Sequence, residues 1–354
     1  MRIAQVTPLY EAVPPRLYGG TERVVAHLTD ALVELGHDVT LFASADAVTK
    51  ARLVPVRDQA IRLDPAPLKS DLAAHMSQLA EVRRRADAFD LIHFHTDMIH
   101  FPFFEHRASR TVTTLHGRLD LKDLADVYRR WPQFPLVSIS DNQRLALTGP
   151  GWTPNWAATV QHGLRSSLYR PSMESRGYLA FLGRISPEKG PDRAIAIAKA
   201  VGKTLKIAAK VDPADRTYFE DEIEPLLDHP LIEFIGEIGD HQKSEFLGGA
   251  EALLFPIDWP EPFGLVMIEA MACGTPVIAF NRGSAGEVIE PGLTGVLVEN
   301  ITEAAQAVAA VAGLDRAAIR RRFEERFSAR AMAERYLDLY ARLNAQAGVG
   351  LAAE

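Results

Sequence analysis

Two glutamates, Glu261 and Glu269, stand eight residues apart in the segment FPIDWPEPFGLVMIEAMACGTPVIA that runs from Phe255 to Ala279. The segment reads as an apolar strand ending at Pro256, a proline-rich turn carrying Glu261, a helix carrying Glu269, a stop at Gly274 and a second apolar strand. That order is the strand, crossover helix and strand of a parallel sheet. In open α/β sheets a ligand lies beyond the carboxyl ends of the strands, where the loop with Glu261 falls. The two carboxylates therefore frame a candidate binding site.

A second group of residues brings positive charge. In FLGRISPEKG, residues 181–190, a strand ends, a glycine turn follows and a helix begins near Pro191. Arg184 offers a fork of donors and Lys189 a compact charge at that helix entrance, which suits a diphosphate leaving group. Between the first strand and first helix, Pro15-Arg16-Leu17-Tyr18-Gly19-Gly20-Thr21 puts two glycines where the backbone can approach a ligand and free amides can meet an anion. The preceding loop, residues 8–18, is a candidate acceptor rim. His116 follows an apolar strand and is expected to face the cleft between two domains, and Lys210, also at a strand end, is expected on the donor side. His93 and His95, two apart with Asp97 nearby, could suggest a metal pair, but no third ligand is obvious and no metal is expected.

These blocks resemble the retaining glycosyltransferases of family 4, which have the GT-B fold. The wording EPFGL…EAMACGTPV is complete, Gly183-Arg184-x3-Glu188-Lys189-Gly190 repeats the family's GR-x3-EKG, and Gly283-Ser284-Ala285-Gly286-Glu287 is similar to its G-G-x-x-E segment. The resemblance implies that Glu269 holds the ribose hydroxyls and that Glu261 lies beside the donor sugar. It further implies that the amides around Phe263, Gly264 and Leu265 meet sugar and phosphate, and that Arg184 and Lys189 grip the phosphates. Gly19 and Gly20 would approach the donor, and His116 would assist transfer. Where the family has asparagine in its N-G-V segment this chain has His162, and Lys210-Val211-Asp212-Pro213 replaces a glycine-rich turn. The opening MRIAQVTPLY…YGGTE, with Ala209–Asp212 and Phe255–Trp259, resembles a bacterial subgroup labelled UDP-glucose:tetrahydrobiopterin glucosyltransferase. The implied activity is a retaining, metal-independent hexosyltransferase. It would move a hexose, glucose favoured, from a nucleotide sugar to a hydroxyl of a small-molecule acceptor; UDP-glucose, a co-substrate rather than a cofactor, is favoured, with GDP and ADP open.

The elements around these residues alternate. Strands are expected at 3–7, 39–43, 91–94, 111–115 and 136–139, with helices at 21–35 and 71–88. After Pro171 the pattern restarts, with strands at 178–182, 205–209, 232–235, 252–255, 276–279 and 295–298. Helices near 304–312, 316–327 and 329–343 close the chain, and residues after 346 read as a frayed tail. This predicts an α/β protein of two doubly wound Rossmann-like domains facing a central cleft. One spans 1–168, joined by the final helix 329–345, and the other spans 169–328.

The 354 residues, 47% hydrophobic and 24% charged, fit two soluble domains. A net charge of −7 argues against a nucleic-acid binder. The arginine runs 83–85 and 320–322 read as solvated helix faces, too short to carry membrane contact. The N-terminus reads as entering a strand at once, without a signal-peptide pattern, and a cytoplasmic location is expected. The single cysteine, Cys273, excludes an intramolecular disulfide. Two readings share the scaffold: a GT-B sugar phosphorylase or nucleotide-sugar epimerase, and a non-catalytic nucleotide-sugar binder. A nicotinamide oxidoreductase is set aside because no Gly-x-Gly-x-x-Gly follows the first strand. Oligomeric state is not legible.

Overall fold

The structure, a computed structural model, describes residues 1–16, 19–149 and 151–351 and, for 348–351, the backbone alone. The chain divides into two compact units, Met1–Gly163 with the final helix from Ala329, and Leu164–Ser328.

The first unit holds seven parallel strands: β1 (Arg2–Val6), β2 (Asp38–Ala43), β3 (Arg52–Pro55), β4 (Leu91–Phe94), β5 (Thr111–Thr114), β6 (Leu136–Ser138) and β7 (Trp156–Thr159). Their order in the sheet is β3-β2-β1-β4-β5-β6-β7, so the chain reverses its direction of travel between β1 and β4. The inner strands β2, β1, β4, β5 and β6 are buried along nearly their whole length, as expected of a parallel sheet covered on both faces. Within β1 the register sets Gln5 against His93 and Val6 against Phe94. Helix Gly20–Glu34 packs against the final helix, whose Met332, Tyr336, Leu339, Tyr340 and Leu343 form a buried stripe at helical spacing.

The second unit repeats the plan with six parallel strands: β8 (Tyr178–Arg184), β9 (Leu205–Lys210), β10 (Ile232–Gly236), β11 (Ala250–Phe255), β12 (Val277–Phe280) and β13 (Gly295–Val298). The order is β10-β9-β8-β11-β12-β13, and the reversal falls between β8 and β11. Leu179, Phe181, Ile195, Ile207, Leu254, Ile278 and Val308 lie in its core. Helix Pro191–Val201 starts with Pro191 after the left-handed Gly190 and ends at the left-handed Gly202, the usual punctuation of a short amphipathic helix.

Several expectations are corrected. β3 and β7 lie at the sheet's edges, outside the expected strands. The helix from Asp71 stops at Arg84 and a 3₁₀ turn takes residues 86–88. The final helix runs to Leu351, past the expected fray. The second unit opens at Leu164 rather than at residue 169, because the Leu164 amide donates to the Phe327 carbonyl at 2.9 Å and Arg320 donates to the carbonyls of Ser166 and Tyr169. Arg320 is thus no solvated face residue. It turns inward, only 13% exposed, to tie the helix Arg316–Phe327 to the unit's first residues. Arg84 and Arg85 pair with Glu81 on the helix surface, and Arg322 pairs with Glu290. No helix among the described residues is long and apolar enough to cross a membrane.

Candidate active site

In the second unit the loops after β8 and β11 flank the sheet's reversal point, where α/β sheets open a crevice. Lys189 lies on the first loop and Glu261 on the second, and their side chains form an ion pair. Trp259 Nε1 donates to the same Glu261 oxygen at 3.0 Å, and the Lys189 ammonium lies 4.8 Å from the Trp259 ring centroid. Glu261 is 9% exposed, so its charge is held by two donors in a largely desolvated place.

The backbone locks the two loops together. The Asp258 amide donates to the Glu188 carbonyl at 2.9 Å, and Arg193 Nε donates to the Pro256 carbonyl at 2.7 Å. Gly190 has φ +71°, and a Cβ there would come within 2.4 Å of the Pro256 oxygen. Only glycine meets both demands. A third loop braces Glu261 from behind. Gly283, at φ +56°, lies so close that a Cβ would fall 2.2 Å from the Glu261 nitrogen. Next to it, the Ser284 amide donates to the Glu261 carbonyl at 2.9 Å and Ser284 Oγ donates to the Phe263 carbonyl at 2.8 Å. The segment read for Glu287 therefore acts through Gly283 and Ser284, while Glu287 sits on the short helix Ala285–Val288.

Glu269 lies on helix Leu265–Ala272, which Gly264 opens, and is 2% exposed. One carboxylate oxygen accepts from Lys243 Nζ at 2.7 Å and from the Tyr169 hydroxyl at 3.1 Å. The other, Oε2, is buried with no hydrogen-bond partner among the described residues. A carboxylate with one oxygen fixed and one vacant is prepared to accept from a hydroxyl, because an unpaired buried acceptor is costly until it is met. Phe263, ahead of this helix, is buried and packs edge-on to Phe327 at 6.2 Å, anchoring the turn.

Arg184 ends β8 among carboxylates: Glu188 at 2.6 Å, Asp215 at 3.4 Å and Asp212 at 3.8 Å. Lys210 pairs with Asp212 at 2.6 Å. The sequence reading put Arg184 on the phosphates and Lys210 on the donor side; here each is held by acidic neighbours, with which a diphosphate would compete.

His116 and the glycine turn belong to the first unit. Gly19 is buried, and a Cβ there would come within 2.7 Å of Pro15, so the loop folds back on itself. Gly20 starts the helix. Leu17 and Tyr18, the rest of that turn and the end of the acceptor rim, lie outside the described residues. His116 Nε2 meets His95 Nδ1 at 2.8 Å, and its ring stacks on His162 with centroids 5.1 Å apart. Desolvation pushes the His116 imidazole down to about 3. Burial holds His93, His95 and His162 well below the ordinary value as well, with neighbouring histidines adding to it. All four are neutral near pH 7. His162, the residue that departs from asparagine, is thus a ring neighbour of His116. The nitrogens of His93 and His95 are committed to protein partners: His93 to the Tyr340 and Thr114 hydroxyls, each at 2.7 Å, and His95 to His116 and to Gln5 Oε1 at 2.8 Å.

Sequence reasoning missed Lys243, Tyr169, Trp259, Gln5 and Tyr340. For Gln5 a signal existed, a polar residue between the apolar, buried Ile3, Ala4 and Val6 of its strand.

Two doubly wound parallel sheets in tandem, with acidic and basic side chains paired at the second reversal point, define a protein of the GT-B kind. Residues 18–143 match the family described as Glycosyltransferase Family 4, and residues 170–331 match Glycosyl transferases group 1. The chain is 26% identical to an alpha-maltose-1-phosphate synthase of Mycolicibacterium smegmatis over 98% of its own length and 100% of the relative's. Among solved structures, it resembles the sucrose-phosphate synthase of Thermosynechococcus elongatus (TM-score 0.78, 21% identity, 98% of this chain and 100% of that one). It also resembles Anabaena Alr3699/HepE in complex with UDP and glucose (TM-score 0.73, 19% identity, 96% and 99%). The protein carries glycosyltransferase domains of the family 4 and group 1 types, has the GT-B fold, and is a glycosyltransferase that takes its sugar from a nucleotide sugar.

Proposed function

We propose that the protein is a retaining, metal-independent hexosyltransferase that moves glucose from UDP-glucose to a hydroxyl of a small-molecule acceptor. The observation that carries this reading is the Lys189–Glu261–Trp259 cluster at the reversal point of the group 1 domain. Departure of the nucleotide places negative charge on a diphosphate while positive charge grows on the sugar. Lys189, with Arg184, would stabilise the first, and Glu261 would orient and stabilise the second. Glu261 already accepts from Lys189 and Trp259, which blunts it as a nucleophile. That favours front-face substitution within a tight ion pair, the departing phosphate helping to remove the acceptor's proton. Glu269 would take a ribose hydroxyl on Oε2, with Gly264 and Leu265 amides toward the donor, and Lys210 beside the phosphates.

The UDP assignment draws support from the structural neighbour in complex with UDP and glucose. The names alpha-maltose-1-phosphate synthase and sucrose-phosphate synthase support a small acceptor. Tetrahydrobiopterin, in the label of the subgroup that the opening block resembles, belongs in an acceptor panel. The test is ligand-induced thermal stabilisation by UDP, GDP, ADP and their hexose conjugates without added metal. UDP and UDP-glucose should raise Tm, and Glu269→Ala should abolish the shift. Stabilisation by another nucleotide series would replace the donor, and none at all would favour the phosphorylase or binding-protein reading.

A further inference from the structure

A single hydrogen-bonded chain runs through the interior of the first unit. It passes from His116 Nε2 to His95 (2.8 Å), from His95 Nε2 to Gln5 Oε1 (2.8 Å), and from Gln5 Nε2 to the Tyr340 hydroxyl (3.3 Å). It continues to His93 Nδ1 (2.7 Å), from His93 Nε2 to Thr114 Oγ1 (2.7 Å), and ends at the Tyr336 hydroxyl (2.8 Å). Gln5, His93, His95 and Thr114 are 0–3% exposed, and Tyr336 and Tyr340 are no more so. Each link needs one proton, and a neutral imidazole donates from one nitrogen and accepts on the other. The links are therefore coupled: fixing the direction of one fixes all of them.

Gln5 sets that direction. Its amide oxygen faces His95, so His95 carries its proton on Nε2 and accepts on Nδ1, and His116 must then carry its own on Nε2. His116 Nδ1 has no hydrogen-bond partner among the described residues. Under this polarity the unmet atom is a lone pair. Under the reverse it would be a buried N–H, the rarer and costlier orphan. A bare imidazole acceptor suits a hydroxyl and repels a phosphate oxygen.

We propose that Gln5 is a positioning residue which, through His95, fixes His116 as its Nε2-protonated tautomer and so presents Nδ1 as an acceptor for a sugar hydroxyl. The hydroxyl half of this proposal rests on the reading of His116 as a donor-side residue; the tautomer half does not.

The experiment is two-bond 15N–1H correlation NMR on full-length protein labelled at histidine, with His116 assigned from a His116→Asn variant, beside the rate of UDP release from UDP-glucose. In the wild type His116 and His95 should both carry the proton on Nε2. Gln5→Leu should leave His116 as a tautomer mixture and lower kcat more than it moves KM, by roughly 10- to 100-fold, as when a partner that orients a functional histidine is removed. Gln5→Glu keeps an acceptor for His95, so it should preserve the His116 tautomer and restore kcat, while His93, now facing a Tyr340 hydroxyl turned toward the carboxylate, switches its proton to Nδ1. A wild-type His116 protonated on Nδ1 overturns the proposal, and this reading does not depend on either Gln5 variant folding. An Nε2 tautomer with UDP release unchanged in His116→Ala upholds the role of Gln5 in fixing the tautomer and overturns the hydroxyl half.

Discussion

The two units share a strand order but use opposite chemistry at their reversal points. Beside β1 and β4 the first unit gathers neutral groups: His93, His95, His116, His162, Gln5 and two tyrosines, joined by hydrogen bonds and ring contacts. Beside β8 and β11 the second unit gathers ions: Lys189 with Glu261, Lys243 with Glu269, Arg184 and Lys210 with four carboxylate contacts. One scaffold can thus present a neutral, directional surface or a charged one, and the difference lies in which side chains the strand ends carry. The neutral network is sensitive to protonation, and the charged one to loss of a partner.

Acid should break the contrast most strongly. Burial depresses His93, His95, His100, His116 and His162, all in the first unit. A histidine with a folded pKa below its unfolded value binds fewer protons when folded, so stability is full above about pH 6.5 and is lost as pH falls toward the folded value. For His116, with its folded value about 3, the loss at pH 5 is about 2 kcal/mol. The other four act in the same direction. Hydrogen exchange against pH should show the strands of the first unit opening below pH 6.5 before those of the second. Opening of the second unit first would reverse the account.

Next in size is the loss of a buried partner. Glu269→Ala leaves Lys243, only 11% exposed, with Asp240 alone at 3.4 Å. Denaturant unfolding should show a loss of about 3 kcal/mol, and adding Lys243→Met should recover part of it. Equal losses in the single and double variants would mean that the pair contributes nothing special.

Much of this plan is legible in the chain because parallel strands buried on both faces are continuous apolar runs. Leu91–Phe94 and Gly295–Val298 fall where periodicity puts them, and the helix Arg316–Phe327 does too. Edge strands are not so marked: Trp156–Thr159 is only half-buried, and its short apolar run, Trp156-Ala157-Ala158, holds no β-branched residue. The Glu261 to Glu269 spacing is visible because loop and helix are contiguous. Tyr169 and Lys243 stand 100 and 26 residues from Glu269, and Gln5 and Tyr340 are 335 apart. Such partners come together only through the order of strands in the sheet, which local pattern does not encode. Arg320 misled because three arginines in a row look like a surface, whereas one of them satisfies carbonyls inside.

In the site itself, Glu261→Gln should lower kcat for transfer by about 10²- to 10³-fold, the usual loss when a charge aimed at the transition state is removed. Its Tm should fall as well, because Lys189 loses the carboxylate it pairs with, so kcat is read well below the variant's Tm. An unchanged rate would remove Glu261 from the mechanism. A smaller effect is expected from Gly283→Ala. The added methyl would push the Glu261 backbone aside and lower kcat by roughly 10- to 100-fold, as small misplacements of reacting groups do. A rate within twofold of the wild type would show that Glu261 does not need this brace. Smallest of all is the effect of a chelator: with Lys189 and Arg184 proposed to supply the positive charge, EDTA should leave the initial rate unchanged, and a large loss would call for a divalent ion at the diphosphate.

The most direct test of the central claim is 1H NMR of the first-formed products when the enzyme acts on UDP-glucose, run beside Lys189→Met. UDP and α-configured glucosyl product should appear together before mutarotation, and both should be strongly slowed in the variant. A β-configured first product, or release of glucose unaffected by Lys189→Met, would contradict that claim.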